Sequence, residues 1–362
     1  GARAALAACC LASAAGLTQR PKVSELLNPL SLVKPTTLTN VTCDPDDVSF
    51  AAITQQVCQI NWVLAFKAYS FEKLKQVGCW NLLAFNTDPF LSSAVYQRGD
   101  HCALAMSGYH GKLVGMGRAT LALAWPPERW NVCENQAYAP FVRLLRHHTS
   151  LKTWKNITEA LAGPSCKRVT ITAESMGGSM GEVLAACANS GRLKEVQDAA
   201  LPGYQVHQLY TFGAPASSVE PIRNPLRKDG CFPGKRIFTN GDLIAGLGKF
   251  LNLKHSRMDA VELFHKKNTV AKKDYACQSD EAVGDGAHEA PKESSTAALD
   301  ALSSAYDPTH HEIGSYLADL QHFHTIGQSI GGEAVQLASR GATEDTGGHV
   351  MKDYASLLKA AL

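Results

Sequence analysis

Charge of either sign is scarce in this sequence. Lys and Arg total 35 and Asp and Glu 33, only 19% of residues are charged, and the net charge at neutral pH is +2. No Lys/Arg-rich run with interleaved aromatics occurs, so the electrostatic footprint of a nucleic-acid binder is missing. There is also no run of about 18 strongly apolar residues, which excludes a helical membrane span. Closely spaced Cys/His pairs are missing too, and with them the ligand pattern of a zinc site; no metal or organic cofactor is implied. What is present, 362 residues of which 45% are hydrophobic, suits one large α/β domain with insertions or two smaller domains.

Residues 1–17 are Ala-rich, with one Arg and no acidic group, and Ala12-Ser13-Ala14 has the small-x-small form of a signal-peptidase site. This stretch reads as the tail of a secretory signal, with a transit-peptide remnant or a frayed helix as alternatives. Leu6-Ala7-Ala8-Cys9 also fits a bacterial lipoprotein box. On the secretory reading, residues 18–362 form a single domain, and the protein is secreted or resides in an endomembrane lumen. Nine cysteines follow the leader: Cys43, Cys58, Cys79, Cys102, Cys133, Cys166, Cys187, Cys231 and Cys277. In an oxidising compartment they are expected to form several disulfides with one left over. Cys187, on what should be a buried helix face, is the expected odd one. Asn40-Val41-Thr42 and Asn156-Ile157-Thr158 are N-glycosylation sequons.

Residues 18–50 are rich in Pro, Thr and Asp and read as an extended arm. Ile53, Val57, Ile60, Leu64, Ala68, Phe71 and Leu74 recur at steps of three and four, which predicts an amphipathic helix over 53–77. Residues 102–106 and 112–117 flank Gly108-Tyr109-His110-Gly111 and predict a β-hairpin. A helix is expected over 138–148. Val169-Thr170-Ile171-Thr172 is a β-branched run, hence a buried strand, and 206–212 and 236–239 are further strands. Strands alternating with helices predict an α/β fold with a mostly parallel central sheet and helices on both faces. Residues 266–309, poor in large apolar groups, read as a flexible insertion, and 321–362 show only weak helical patterning.

The chemistry concentrates at Ala173-Glu174-Ser175-Met176-Gly177-Gly178, directly after the 169–172 strand and before a Gly-containing helix. A serine on so tight a strand-to-helix turn is forced into a strained backbone, so its neighbours two positions away must be small. The helix N-terminus then directs amides and partial positive charge at the place where an oxyanion would form.

Together with three later segments, this motif resembles the class 3 (fungal-type) lipases, of the α/β-hydrolase fold. Val206 to Pro215, which ends Thr211-Phe212-Gly213-Ala214-Pro215, is similar to the family's strand after the nucleophile helix. Asn240-Gly241-Asp242 is similar to the turn that carries its aspartate, and His311-Glu312-Ile313-Gly314-Ser315-Tyr316 to its final histidine motif. The resemblance implies a triad of Ser175, Asp242 and His311, in the chain order this fold uses. His310 is a rival for the base, and His147, His148, His322 and His324 are expected to be solvated. It also implies an oxyanion hole formed by the amides of Met176 and Thr120, the latter in Arg118-Ala119-Thr120. A mobile lid is implied around Trp125, Pro126, Pro127 and Trp130, with transient contact to a lipid interface.

The implied activity is hydrolysis of carboxylic esters, acyl lipids above all, through an acyl-enzyme. An acyltransferase or a non-lipid esterase would use the same residues. Three positions depart from the family: Ala173 and Ala119 stand where glycine is usual, and Glu174 where histidine is. A carboxylate at 174 is expected to oppose an oxyanion, so that Glu174→His with Ala119→Gly would raise turnover. These departures also leave open a lipase-fold binding protein that has lost turnover.

Overall fold

The structure, a computed structural model, describes residues 46–66, 75–88, 91–108, 128–239, 242–250, 252–263, 273–274 and 313–325. All of them fall within the unit Thr37–Leu362. The leader, residues 18–45 of the expected 18–50 arm with Asn40 and Cys43, the second half of the expected hairpin, Trp125, nearly all of the 266–309 insertion, Cys277 and residues 326–362 lie outside the described residues, while 46–50 are helical rather than extended.

Among the described residues, nine strands form one sheet in the order β1-β2-β3-β4-β7-β8-β9-β10-β11. They are β1 (Gln76–Val77), β2 (Trp80–Thr87), β3 (Ser92–Arg98), β4 (His101–Met106), β7 (Arg168–Glu174), β8 (Gln208–Phe212), β9 (Gly234–Thr239), β10 (Asp259–Leu263) and β11 (Lys273–Asp274). The five central strands, β4 through β10 in that order, run parallel, and antiparallel pairs extend both edges. A separate hairpin joins β5 (Arg129–Val132) to β6 (Asn135–Tyr138). The helices are α1 (Asp46–Phe66), α2 (Ala139–Thr149), α3 (Trp154–Ala162), α4 (Ser175–Asn189), α5 (Leu243–Phe250) and α6 (Ile313–Thr325).

Strand periodicity sorts the two faces. Cys102, Leu104 and Met106 of β4 and Val169, Ile171 and Ala173 of β7 join the core shared with α2, α3 and α4. The alternate residues face α1: Thr172 Oγ1 stands 2.8 Å from Thr54 Oγ1 and donates to the Phe50 carbonyl at 3.2 Å. Helices therefore cover both faces of a parallel core, the expected α/β arrangement, and α6 packs against α1. Every residue of α4 is buried, which accounts for its run of Gly, Ala and Ser.

Three local expectations are corrected. The first helix spans Asp46–Phe66 rather than 53–77, with Asp46 and Asp47 in its first turn favouring its positive end. Val77 is already strand, turned into β2 at Gly78, whose φ is +53°. β4 pairs with the preceding β3 across a two-residue turn at Gly99, φ +61°, and with β7 on its other edge, so the 102–106 strand has its hairpin partner before it. Cys187 is not the odd cysteine: it bonds to Cys133, and Cys102 bonds to Cys166. Cys79 and Cys231 are disulfide-bonded as well, and the free thiol among the described residues is Cys58, buried on α1.

Candidate active site

Ser175 occupies the elbow between β7 and α4 with φ +53°, a left-handed conformation that L-residues with a side chain rarely adopt. Close packing around it enforces the small residues. A Cβ on Gly177 would fall 2.2 Å from the Ser107 carbonyl oxygen, and one on Gly178 2.5 Å from Ala214 Cβ. Gly181 is set by Ile171 rather than by Ala173: a Cβ there would lie 3.0 Å from Ile171 Cγ2, tighter than ordinary contact, and 3.6 Å from Ala173 Cβ, an ordinary one.

Asp242 follows β9, as Ser175 follows β7, with β8 between and all three strands parallel. Both residues therefore stand at the carboxyl ends of the sheet's central strands, where open α/β sheets build their clefts. The Asp242 carboxylate is held at both oxygens. Oδ1 accepts from the amides of Ile244 and Ala245 at 2.9 and 3.2 Å, capping α5. Oδ2 accepts from the Tyr316 hydroxyl at 2.5 Å. Burial and the Asp242 charge push the Tyr316 phenol well above its ordinary range, so it stays a donor. Tyr316 lies on α6, five residues after His311. His310, His311 and Thr120 themselves lie outside the described residues, as do Arg118 and Ala119.

Two features of the site had no sequence signal of their own. The turn after β4, Ser107-Gly108, abuts Ser175: a Cβ on Gly108 would be 2.7 Å from Ser175 Cβ and 2.5 Å from Glu174 Oε2. Glu174 Oε2 accepts the Gly108 amide at 2.9 Å and faces the Cys58 thiol at 3.7 Å. That amide is thus committed to a carboxylate.

A second Ser/His/Asp constellation was not anticipated either. His148, expected to be solvated, is fully buried. Its Nδ1 lies 2.7 Å from Asp88 Oδ2, and its Nε2 lies 2.8 Å from Ser93 Oγ and 3.1 Å from Asn86 Nδ2. Because Asn86 Nδ2 also faces the His148 carbonyl and Asn86 Oδ1 accepts from Thr153, the amide presents its donor to Nε2. Nδ1 then carries the hydrogen given to Asp88. Ser93 is the second residue of β3, paired with both β2 and β4, and is 0% exposed. His147, by contrast, is exposed as expected. Trp130, expected in a lid, lies on β5 beneath the Arg143 and Arg146 guanidiniums, 4.9 and 5.2 Å from its ring centre.

A parallel sheet with a strained serine at a strand–helix elbow, and an aspartate after a later strand, defines an α/β-hydrolase architecture. No family model and no curated protein matches the chain. The solved structures it resembles include fungal lipases. One is a lipase from Rhizopus microsporus var. chinensis, 15% identical with TM-score 0.44 over 68% of this chain and 83% of that one. Lip2 lipase from Yarrowia lipolytica is 13% identical with TM-score 0.41 over 61% and 80%. The triacylglyceride lipase of Rhizomucor miehei is 15% identical with TM-score 0.41 over 60% and 78%.

Proposed function

We propose that this chain is a serine hydrolase that cleaves carboxylic esters, acyl lipids foremost, through an acyl-enzyme on Ser175. The observation that carries the reading is the left-handed backbone of Ser175 at the β7–α4 elbow, a strain with no purpose in a mere helix cap. A serine hydroxyl becomes a useful nucleophile once an imidazole takes its proton, and His311 is the assigned base. Asp242 orients that imidazole and stabilises its cation. The arrival of Tyr316 at Asp242 supports the assignment, since His311 precedes it by five residues. The Met176 amide, at the N-terminus of α4, is the first oxyanion donor. Because the Gly108 amide is occupied by Glu174, the second donor comes from elsewhere, and Thr120 is the residue assigned to it. Two disulfides support residence in an oxidising compartment, secreted or lumenal.

The test uses a fluorophosphonate probe and p-nitrophenyl esters on the full chain. Wild type is expected to be labelled at Ser175. Ser175→Ala should abolish both labelling and turnover. Asp242→Asn and His311→Ala should each reduce turnover on the order of 10⁴-fold, whereas His310→Ala should leave it nearly intact. An unlabelled, inert but folded wild type would replace the hydrolase reading with that of a binding protein.

A further inference from the structure

Resting on the hydrolase reading, we infer that Glu174 is a positioning residue: its carboxylate pins the Ser107–Gly108 turn against Ser175 and so sets the geometry in which the ester meets the nucleophile. The turn leaves the carboxyl end of β4, whose parallel neighbour β7 ends at Glu174. It is therefore one wall beside the reacting serine.

Three hydrogen bonds fix that wall. On one side Ser107 donates its amide to the Ser92 carbonyl at 2.9 Å, and the Ser92 amide donates to Ser107 Oγ at 2.8 Å. On the other, Gly108 donates its amide to Glu174 Oε2 at 2.9 Å. The first two tie the turn to β3 and say nothing about its distance from the nucleophile. Only the third bonds it to the residue adjoining Ser175. Glu174 can act as a fixed post because its backbone pairs with Phe212 in the β8 ladder and its side chain is 8% exposed. An ionised acceptor makes this bond stronger than a neutral one would. The Cys58 thiol adds a second, weaker donor to the same oxygen, and burial together with the Glu174 charge keeps that thiol protonated. The fit on the far side is equally tight, with Ser107 O against Gly177 and no space for a Cβ at either glycine. A turn released from Glu174 would shift relative to Ser175 by a fraction of its own width, and displacement of about 1 Å at a reacting centre costs on the order of 10²-fold.

This reverses the expectation that the carboxylate opposes catalysis, since its charge is spent on an amide and a thiol.

The experiment compares Glu174→Gln, which keeps an acceptor oxygen, with Glu174→Met, of similar length and without one. The readouts are ester kinetics, hydrogen exchange of the Gly108 amide and thermal unfolding. Glu174→Met is expected to lose about 10- to 100-fold in kcat, with KM changed less than about threefold and Gly108 exchange accelerated. Glu174→Gln should recover most of kcat and slow exchange. Equal kcat in the two variants, or exchange at Gly108 unchanged in Glu174→Met, would overturn the inference. A kcat loss matched by a fall in folded fraction would do the same. Hydrogen exchange reads the clamp without turnover. An inert wild type in which Glu174→Met still frees Gly108 would therefore retain the clamp and reject the hydrolase reading, a result separable from failure of the clamp.

Discussion

At the scale of single residues, the Asp88–His148–Ser93 group has the hydrogen-bonded order of a triad but is buried. Ser93 has extended strand backbone, neighbours on both sides and no access for a substrate. Its role is to satisfy polar atoms where β2, β3, α2 and α3 meet, with Asn86 and Thr153 completing the network. Removing the imidazole takes the donor from Asp88 Oδ2 while Oδ1 keeps the Leu91 amide at 2.9 Å, so His148→Ala is expected to destabilise the protein by about 1–3 kcal/mol. Ser93→Ala should cost about 1 kcal/mol. Fluorophosphonate labelling of the folded fraction should persist in both. Loss of labelling in Ser93→Ala at full stability would transfer the catalytic role to this group. Glu174→His gives a sharper residue-scale contrast. The family resemblance suggests that it restores activity, whereas the Gly108 hydrogen bond predicts lower kcat.

Among the elements, α6 and β9 are joined at the point that matters most. The Tyr316 hydroxyl accepts from the Thr239 amide at 3.3 Å and donates to Asp242, so one phenol links a helix, a strand end and the carboxylate proposed for the triad. Tyr316→Phe is expected to cost about 1.5–3 kcal/mol of stability, as for a hydrogen bond to a charged group, and to lower kcat while leaving KM nearly unchanged. Calorimetry and ester kinetics on one preparation check both. The elements legible in the sequence were those with strong local patterns: β7 from its β-branched run, α2 from its periodicity, β8 and β9 from short apolar stretches. β2 and β3 were not legible because alternation there is diluted by Asn, Ser and Gln, of which Asn86 and Ser93 find a shared partner in His148 on α2, far along the chain. The same limit applied at the site. The placement of Ser175 at the end of β7 and of Asp242 after β9 was legible from motif and order. The Gly108–Glu174 contact spans 66 residues and has no local signature. Cys187 misled because a buried helix face accommodates a half-cystine as readily as a free thiol.

For the whole molecule, two levers set stability. The Cys102–Cys166 and Cys133–Cys187 bridges span 64 and 54 residues, for which loop-closure entropy alone is worth about 4 kcal/mol each. Reduction is therefore expected to lower Tm by many degrees, and Cys58 should alkylate only after unfolding. The second lever is pH. Burial, aided by Arg168, holds the His101 imidazole down to about 4 from its ordinary 6.5, and burial with Arg236 lowers His255 likewise. Between those values the unfolded chain binds protons that the folded one refuses. Stability should be full above about pH 6.5 and fall progressively toward pH 4. His101→Gln should remove its share of that slope in urea titrations at pH 7 and pH 4.5. Among the described residues, the two edges of the nine-stranded sheet close on two-residue strands, Gln76–Val77 and Lys273–Asp274, the latter made of two charged residues. A rung that short and that charged gives an incoming β-strand almost no ladder to copy. Native protein should thus be a poor seed for fibrils, and thioflavin-positive growth should begin only where the sheet itself has first come apart.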